Sequence, residues 1–256
     1  IDSNPLICGS IMSKKIAEGI DGLVLDIKIG NGAFMRTLEE GKQLGNLLKY
    51  VGKKFNVTTN IVYSNMNQPL GKTAGMWCEI NESIQALKGN GAIDLMDVVF
   101  ELGNKLIIDS GLTDTRSKAT EMQIQCIDSG NAYDKFEEMV FNQGGYIGKT
   151  SELNEPLFSK KVISEKNGFI KSFDTTALGW AAVQMGCGRI NKNDNLDNTA
   201  GIAFNAKVGD QVNKGDSIMQ CFGSDENKLD QAYSQLKETF QIAEEKVESQ
   251  AMIFRD

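Results

Sequence analysis

Apolar residues recur along the first 64 positions at two different periods. Leu6, Ile7, Ile11, Met12 and Ile16 follow helical spacing from Ser3 to Glu18, entered through Pro5 and stopped at Gly19. Gly22 to Gly30 is a mostly apolar run of strand length, closed by Gly30-Asn31-Gly32, the pattern of a buried parallel strand followed by a tight turn. Thr37 to Lys54 predicts an amphipathic helix, with Thr37 as N-cap, Glu39 and Glu40 in the first turn, and Lys53 and Lys54 at the negative end of the dipole. Val57 to Tyr63 reads as a second strand. Strand, helix and strand at this spacing form a βαβ unit and point to an α/β sheet.

Ser64 to Gly71 is then a polar, turn-rich loop at the carboxyl end of a strand, where open α/β sheets place ligands. Helical patterns follow at Met76 to Leu87, Ile93 to Ser110, Arg116 to Ser129 and Tyr133 to Asn142, ended by Gly144 and Gly145. Thr150 to Gly168 is polar, contains Pro156 and has little period, which marks it as a domain boundary. Beyond it the pattern predicts a strand at Phe169 to Phe173, a helix at Thr175 to Met185, and short strands at Ile202 to Phe204 and Ile218 to Cys221. A long helix from Glu226 to Val247 and a terminal strand at Ala251 to Phe254 complete it. The expected fold is α/β, with a parallel or mixed sheet flanked by helices, a remnant of a small all-α domain over residues 1–18, an α/β domain over 19–165 and a C-terminal α+β domain over 166–256.

Composition narrows the chemistry. Lys plus Arg number 27 and Asp plus Glu 34, a net charge of −7, so no basic face is offered to nucleic acid or to an anionic membrane. The five cysteines are odd in number, far apart and never in a CxxC pair, which argues against a disulfide framework and fits a reducing, cytoplasmic setting. No apolar run approaches the roughly 20 residues of a membrane helix. The absence of histidine excludes catalytic triads, His-ligated metals and imidazole acid–base catalysis within this chain. The chain opens on Ile1 in what reads as the middle of an element, so a missing N-terminal part is expected.

Ser10 and Lys14 lie four residues apart, one turn apart on one helix face, and offer a hydroxyl and an ammonium to one small acceptor. Spacing alone equally describes a solvated helix end. Ile7 and Ile11 border the same face, as the wall of a pocket for a flat polar heterocycle would. The stretch SIMSKKIAEGIDGLVLDIKIGNGAFM resembles the thymidine and pyrimidine-nucleoside phosphorylases. The similarity continues through NMNQPLGKTAG, IQALKGNGAIDLMDVVFELG, the QGG at Gln143 to Gly145, DTTALGWAAVQMGCGR and AKVGDQVNKGD.

The resemblance implies reversible phosphorolysis of a pyrimidine nucleoside, thymidine or uridine, by inorganic phosphate, giving the free base and a pentose 1-phosphate with no organic cofactor. It maps base-contacting positions onto Ser10 and Lys14, with Lys14 as the catalytic cation, and an apolar wall onto Ile7, Ile11 and, across the site, Phe34. It also implies a homodimer in the cytoplasm. In relatives a glycine-rich phosphate loop, a histidine beside the scissile bond and an arginine on the base precede the position equivalent to Ile1. Tyr146 stands where the QGG motif is usually followed by aspartate. Some relatives hold potassium through groups that map onto Leu70, Thr73 and Glu82; the other reading of these is a loop and helix surface with Glu82 as a solvated acid.

Val208 to Asp216 has the spaced Gly-Asp turns of a barrel-sandwich hybrid but lacks the lysine setting of a biotin or lipoyl carrier, so Gly209 and Gly215 read as turn formers. Asp225-Glu226 resembles a magnesium-binding pair of related phosphoribosyltransferases and reads instead as a helix cap. Two alternatives accompany the main reading: a phosphoribosyltransferase of the same superfamily, and a catalytically inactive truncated or split chain. The C-terminal domain counts against the first.

Overall fold

The computed structural model of the protein describes residues 3–148 and 150–255. The elements run in the order α1 (Asn4–Ala17), β1 (Gly22–Ile29), α2 (Leu38–Lys54), β2 (Thr58–Asn65), β3 (Thr73–Gly75), α3 (Trp77–Gln85), α4 (Ile93–Asp109), α5 (Arg116–Asp128) and α6 (Asn131–Asn142). There follow α7 (Thr150–Leu153), β4 (Phe158–Ile163), β5 (Gly168–Phe173), α8 (Thr175–Ala182), β6 (Gly201–Phe204), β7 (Gln211–Val212), β8 (Ser217–Gly223), α9 (Glu226–Leu236), β9 (Phe240–Ala243) and β10 (Ile253–Phe254). Wider helical turns at Ala86–Asn90 and Val183–Cys187 prolong α3 and α8.

The chain forms two compact units. The first comprises the chain up to Met66, Asp94–Cys126 and the residues from Ala251 on. Here β1 and β2 pair in parallel, Lys28 opposite Ser64, and β10 joins the far edge of β2 antiparallel, giving a mixed sheet. Alternation along β1 sends Leu23, Leu25, Ile27 and Ile29 to one core with Cys8 and Met12 of α1 and Leu44 and Leu48 of α2. The other face of β1 carries Val24, Asp26 and Lys28. Helix α2 starts in a capping box, the Thr37 hydroxyl accepting from the Glu40 amide and the Glu40 carboxylate accepting from the Thr37 amide.

The second unit comprises Asn67–Ile93 and Ile127–Gln250. It holds two antiparallel sheets, β3-β6-β8-β4 and β7-β5-β9, around a core that includes Ile170, Phe173, Ile202, Ile218, Met219 and Leu229. Asp225 caps α9 by accepting from the Lys228 amide at 3.1 Å, as a capping acid should. Gly209 and Gly215 sit at φ 95° and 97°, the left-handed turn positions expected of them.

Three expectations need correction. The helix expected to run to Val247 ends at Leu236. Thr239 is buried with its hydroxyl on the Leu236 carbonyl at 2.7 Å, and Phe240 to Ala243 alternate as a strand against β5. Leu236, Phe240 and Ala243 continue helical spacing while Phe240 and Ile242 alternate, and pairing with β5 decides between the two. The polar stretch taken as a boundary contains α7 and β4, and β4 pairs along β8; its Lys160 and Lys161 mask the alternation of an edge strand. The segment expected as a separate helical remnant, residues 1–18, shares its core with β1 and α2, and the compact units are discontinuous in sequence where the expected domains are contiguous.

Candidate active site

Helix α1 presents Ser10 and Lys14 to solvent, one turn apart, while Cys8 and Met12 fill the core beneath. Its neighbours Ile7 and Ile11 are half-buried and pack against that same core, so they offer only their outer edges as a wall. Among the described residues no carboxylate pairs with Lys14, whereas Lys15 on the adjoining face pairs with Glu18 at 3.2 Å. An ammonium free of a carboxylate on an exposed helix face keeps its charge available for a ligand. Phe34 lies in the turn after β1 and is 78% exposed, an apolar surface that the core does not use. Gly19 ends α1 at φ 71°, its amide on the Ile16 carbonyl, which is the role of a helix terminator.

The second group of predicted residues lies in the other compact unit. Glu82 is half-buried and is no simple solvated acid. Its Oε1 accepts from the Lys72 amide at 2.6 Å, and its Oε2 accepts from the Thr73 amide at 2.9 Å and the Thr73 hydroxyl at 2.6 Å. Both carboxylate oxygens are thus engaged by the loop that contains Leu70. On either side of Leu70, the carbonyls of Pro69 and Gly71 accept from the Lys207 ammonium. The Glu82 carboxylate thus accepts three hydrogen bonds from this loop, and Lys207 takes the carbonyls that flank Leu70.

The glycosyl transferase family a/b domain matches residues 4–133, and the pyrimidine nucleoside phosphorylase C-terminal domain matches residues 169–243. Pyrimidine-nucleoside phosphorylases of Staphylococcus aureus strains bovine RF122 / ET3-1 and USA300 are each 36% identical over 247 residues, 95% of this chain and 57% of theirs. The chain belongs to the pyrimidine-nucleoside phosphorylase family. It spans 57% of the length of these curated relatives. The C-terminal model of the phosphorylase family covers the β5–β9 region, with the strand order described above.

Within this phosphorylase-family chain, one polar network escaped the sequence reading. Asp26 and Lys28 lie two apart on the face of β1 turned away from the α1–α2 core, and Lys28 faces Ser64 across the parallel pair. The Lys28 ammonium donates to Asp26 at 2.6 Å and to the Ser64 hydroxyl at 2.9 Å, and that hydroxyl donates to Asp26 at 2.5 Å. Ser64 is fully buried, so a closed triangle holds its hydroxyl and orients the Lys28 ammonium near the carboxyl ends of both strands. The i, i+2 placement of a carboxylate and an ammonium on one strand was the available signal; the Ser64 partner lies 36 residues on and depends on register.

Proposed function

We propose that the full-length protein catalyses phosphorolysis of a pyrimidine nucleoside, with thymidine and uridine as candidate substrates and inorganic phosphate as co-substrate. Family membership supports the reaction class, and the exposed Ser10–Lys14 pair supports the place of the base. A phosphate oxygen forms the new bond to the sugar carbon as the glycosidic carbon–nitrogen bond breaks, and the bonding pair leaves with the base. Negative charge then spreads over the ring and its carbonyl oxygens. The Lys14 ammonium and the Ser10 hydroxyl meet that charge as it develops, so they stabilise the transition state more than the neutral nucleoside. The edges of Ile7 and Ile11, with Phe34, would flank the ring. The same reading carries a homodimer, which light scattering checks.

The test is phosphate-dependent release of thymine or uracil by the full-length protein, followed by chromatography. Lys14→Ala should lower kcat/KM by about 100-fold, near 3 kcal/mol of transition-state stabilisation. Ser10→Ala removes a neutral hydrogen bond and should cost about 1 kcal/mol. Wild-type rates in both variants would remove the base from α1. Base release independent of phosphate would contradict phosphorolysis.

A further inference from the structure

The turn from Gly30 to Arg36 is fastened on both sides of Phe34. Gly30, at φ 135°, starts the reversal after β1; its amide donates to the Met35 carbonyl at 3.0 Å and its carbonyl accepts from the Ala33 amide at 3.0 Å. The turn is also latched to the end of β2, where the Met66 amide donates to the Ile29 carbonyl at 2.7 Å and the Gly32 amide to the Met66 carbonyl at 3.1 Å. Ala33 and Met35 are buried, and Phe34 between them stands exposed, with no hydrogen bond of its own among the described residues. An aromatic ring held outward between two buried neighbours on a hydrogen-bonded turn is a presented surface.

Arg36 closes this frame from the solvent side. Its guanidinium reaches back across the turn and donates to the Asn31 carbonyl, while its own amide donates to Glu40 Oε2 at 2.7 Å. Glu40 Oε2 takes the Thr37 amide as well, so the capping box of α2 anchors the stem from which Arg36 reaches. Asn31 and Arg36 lie on either side of Phe34 in the chain, and one side chain ties the first to the second.

We propose that Arg36 is a positioning residue for substrate binding, which fastens Asn31 to the start of α2 and so holds Phe34 in the orientation that flanks the pyrimidine ring. The assignment rests on the reading of Phe34 as a wall of the base site. Arg36 acts through Phe34 and not on the substrate. A wall held in place before binding avoids the ordering cost that a loose turn meets on every encounter. The ring contact is made alike in ground state and transition state, so the effect falls on KM and leaves kcat in place.

The experiment combines kinetics and hydrogen exchange on the full-length protein. Phe34→Ala should raise KM for uridine about 10-fold and Arg36→Ala about 5-fold, both with kcat within about twofold of wild type. Arg36→Lys, which keeps a donor at that position, should restore part of the loss. In a Phe34→Ala background Arg36→Ala should add nothing, because the two act as one unit. Additive losses, or a wild-type KM for Arg36→Ala where Phe34→Ala is impaired, would overturn the role of Arg36 and leave the base site standing. A wild-type KM for Phe34→Ala would instead remove Phe34 from the base site, and this role with it. Without any substrate, the Gly32 and Ala33 amides should exchange about 10-fold faster in Arg36→Ala than in wild type, with Arg36→Lys between the two. Equal exchange in wild type and Arg36→Ala would overturn the proposal whatever the kinetics show.

Discussion

Lys14 and Lys207 carry the same charge on the same stem and use it in opposite ways. Lys14 stands exposed on a helix, available to a ligand; Lys207 is half-buried and joined to backbone carbonyls. The first was legible because Ser10 lies one turn away in sequence. The second was not, because its carbonyl partners lie 136 and 138 residues upstream and no local pattern encodes them. Asp197 belongs to the same class of long-range device. It accepts from the Thr199 amide at 2.9 Å, the Thr199 hydroxyl at 2.7 Å and the Ser224 amide at 2.7 Å. Partial burial pushes its carboxyl upward, and the Ser224 amide and the Thr199 hydroxyl and amide outweigh that, holding it below its ordinary 3.8. A depressed folded value stabilises the ionised form, so the contribution is present at neutral pH and is lost as pH falls through the folded value below 3.8. Asp197→Asn should destabilise at pH 7 by about 1 kcal/mol, the loss of charge-assisted hydrogen bonds after solvent screening of this partly exposed carboxylate. Denaturant melts should show that difference shrinking as pH falls below 3.8.

At the scale of elements, local signals sufficed where local physics decides. The Thr37 cap of α2, Pro5 at the start of α1, the Asp225 cap of α9 and the apolar run of β1 all formed where they were expected. Strands β3, β4 and β9 were lost because each is short, lysine-rich or ambiguous in period, and owes its state to a partner strand distant in sequence. Helical glycines show how packing overrides propensity. In α2 a Cβ at Gly52 would stand 3.0 Å from the Val57 carbonyl oxygen and collide with the Thr59 hydroxyl. In α8 a Cβ at Gly179 would meet nothing within 4 Å. Gly179→Ala should therefore stabilise by about 0.5–1 kcal/mol, the ordinary helix preference for alanine. Gly52→Ala should destabilise by about 1–3 kcal/mol from overpacking. Chemical denaturation of the two variants checks the pair, and equal effects would show that the close approach of α2 to its neighbours is unimportant.

For the whole molecule, the α/β class and the family were legible from motifs that run the length of the chain, and the family models match in the same order. The compact units were not legible, because Asp94–Cys126 and the residues from Ala251 on return to the first unit after long excursions. The account rests on Lys14 meeting charge that leaves with the base, and leaving-group acidity isolates that claim. 5-Fluorouracil is a more acidic base than uracil and needs less help to depart. Phosphorolysis of uridine and of 5-fluorouridine by full-length wild type and Lys14→Ala should show a smaller loss of kcat/KM for the fluorinated substrate. An equal loss for both would mean that Lys14 does not stabilise the departing base, and phosphate-dependent release of neither base by wild type would contradict the proposed reaction itself.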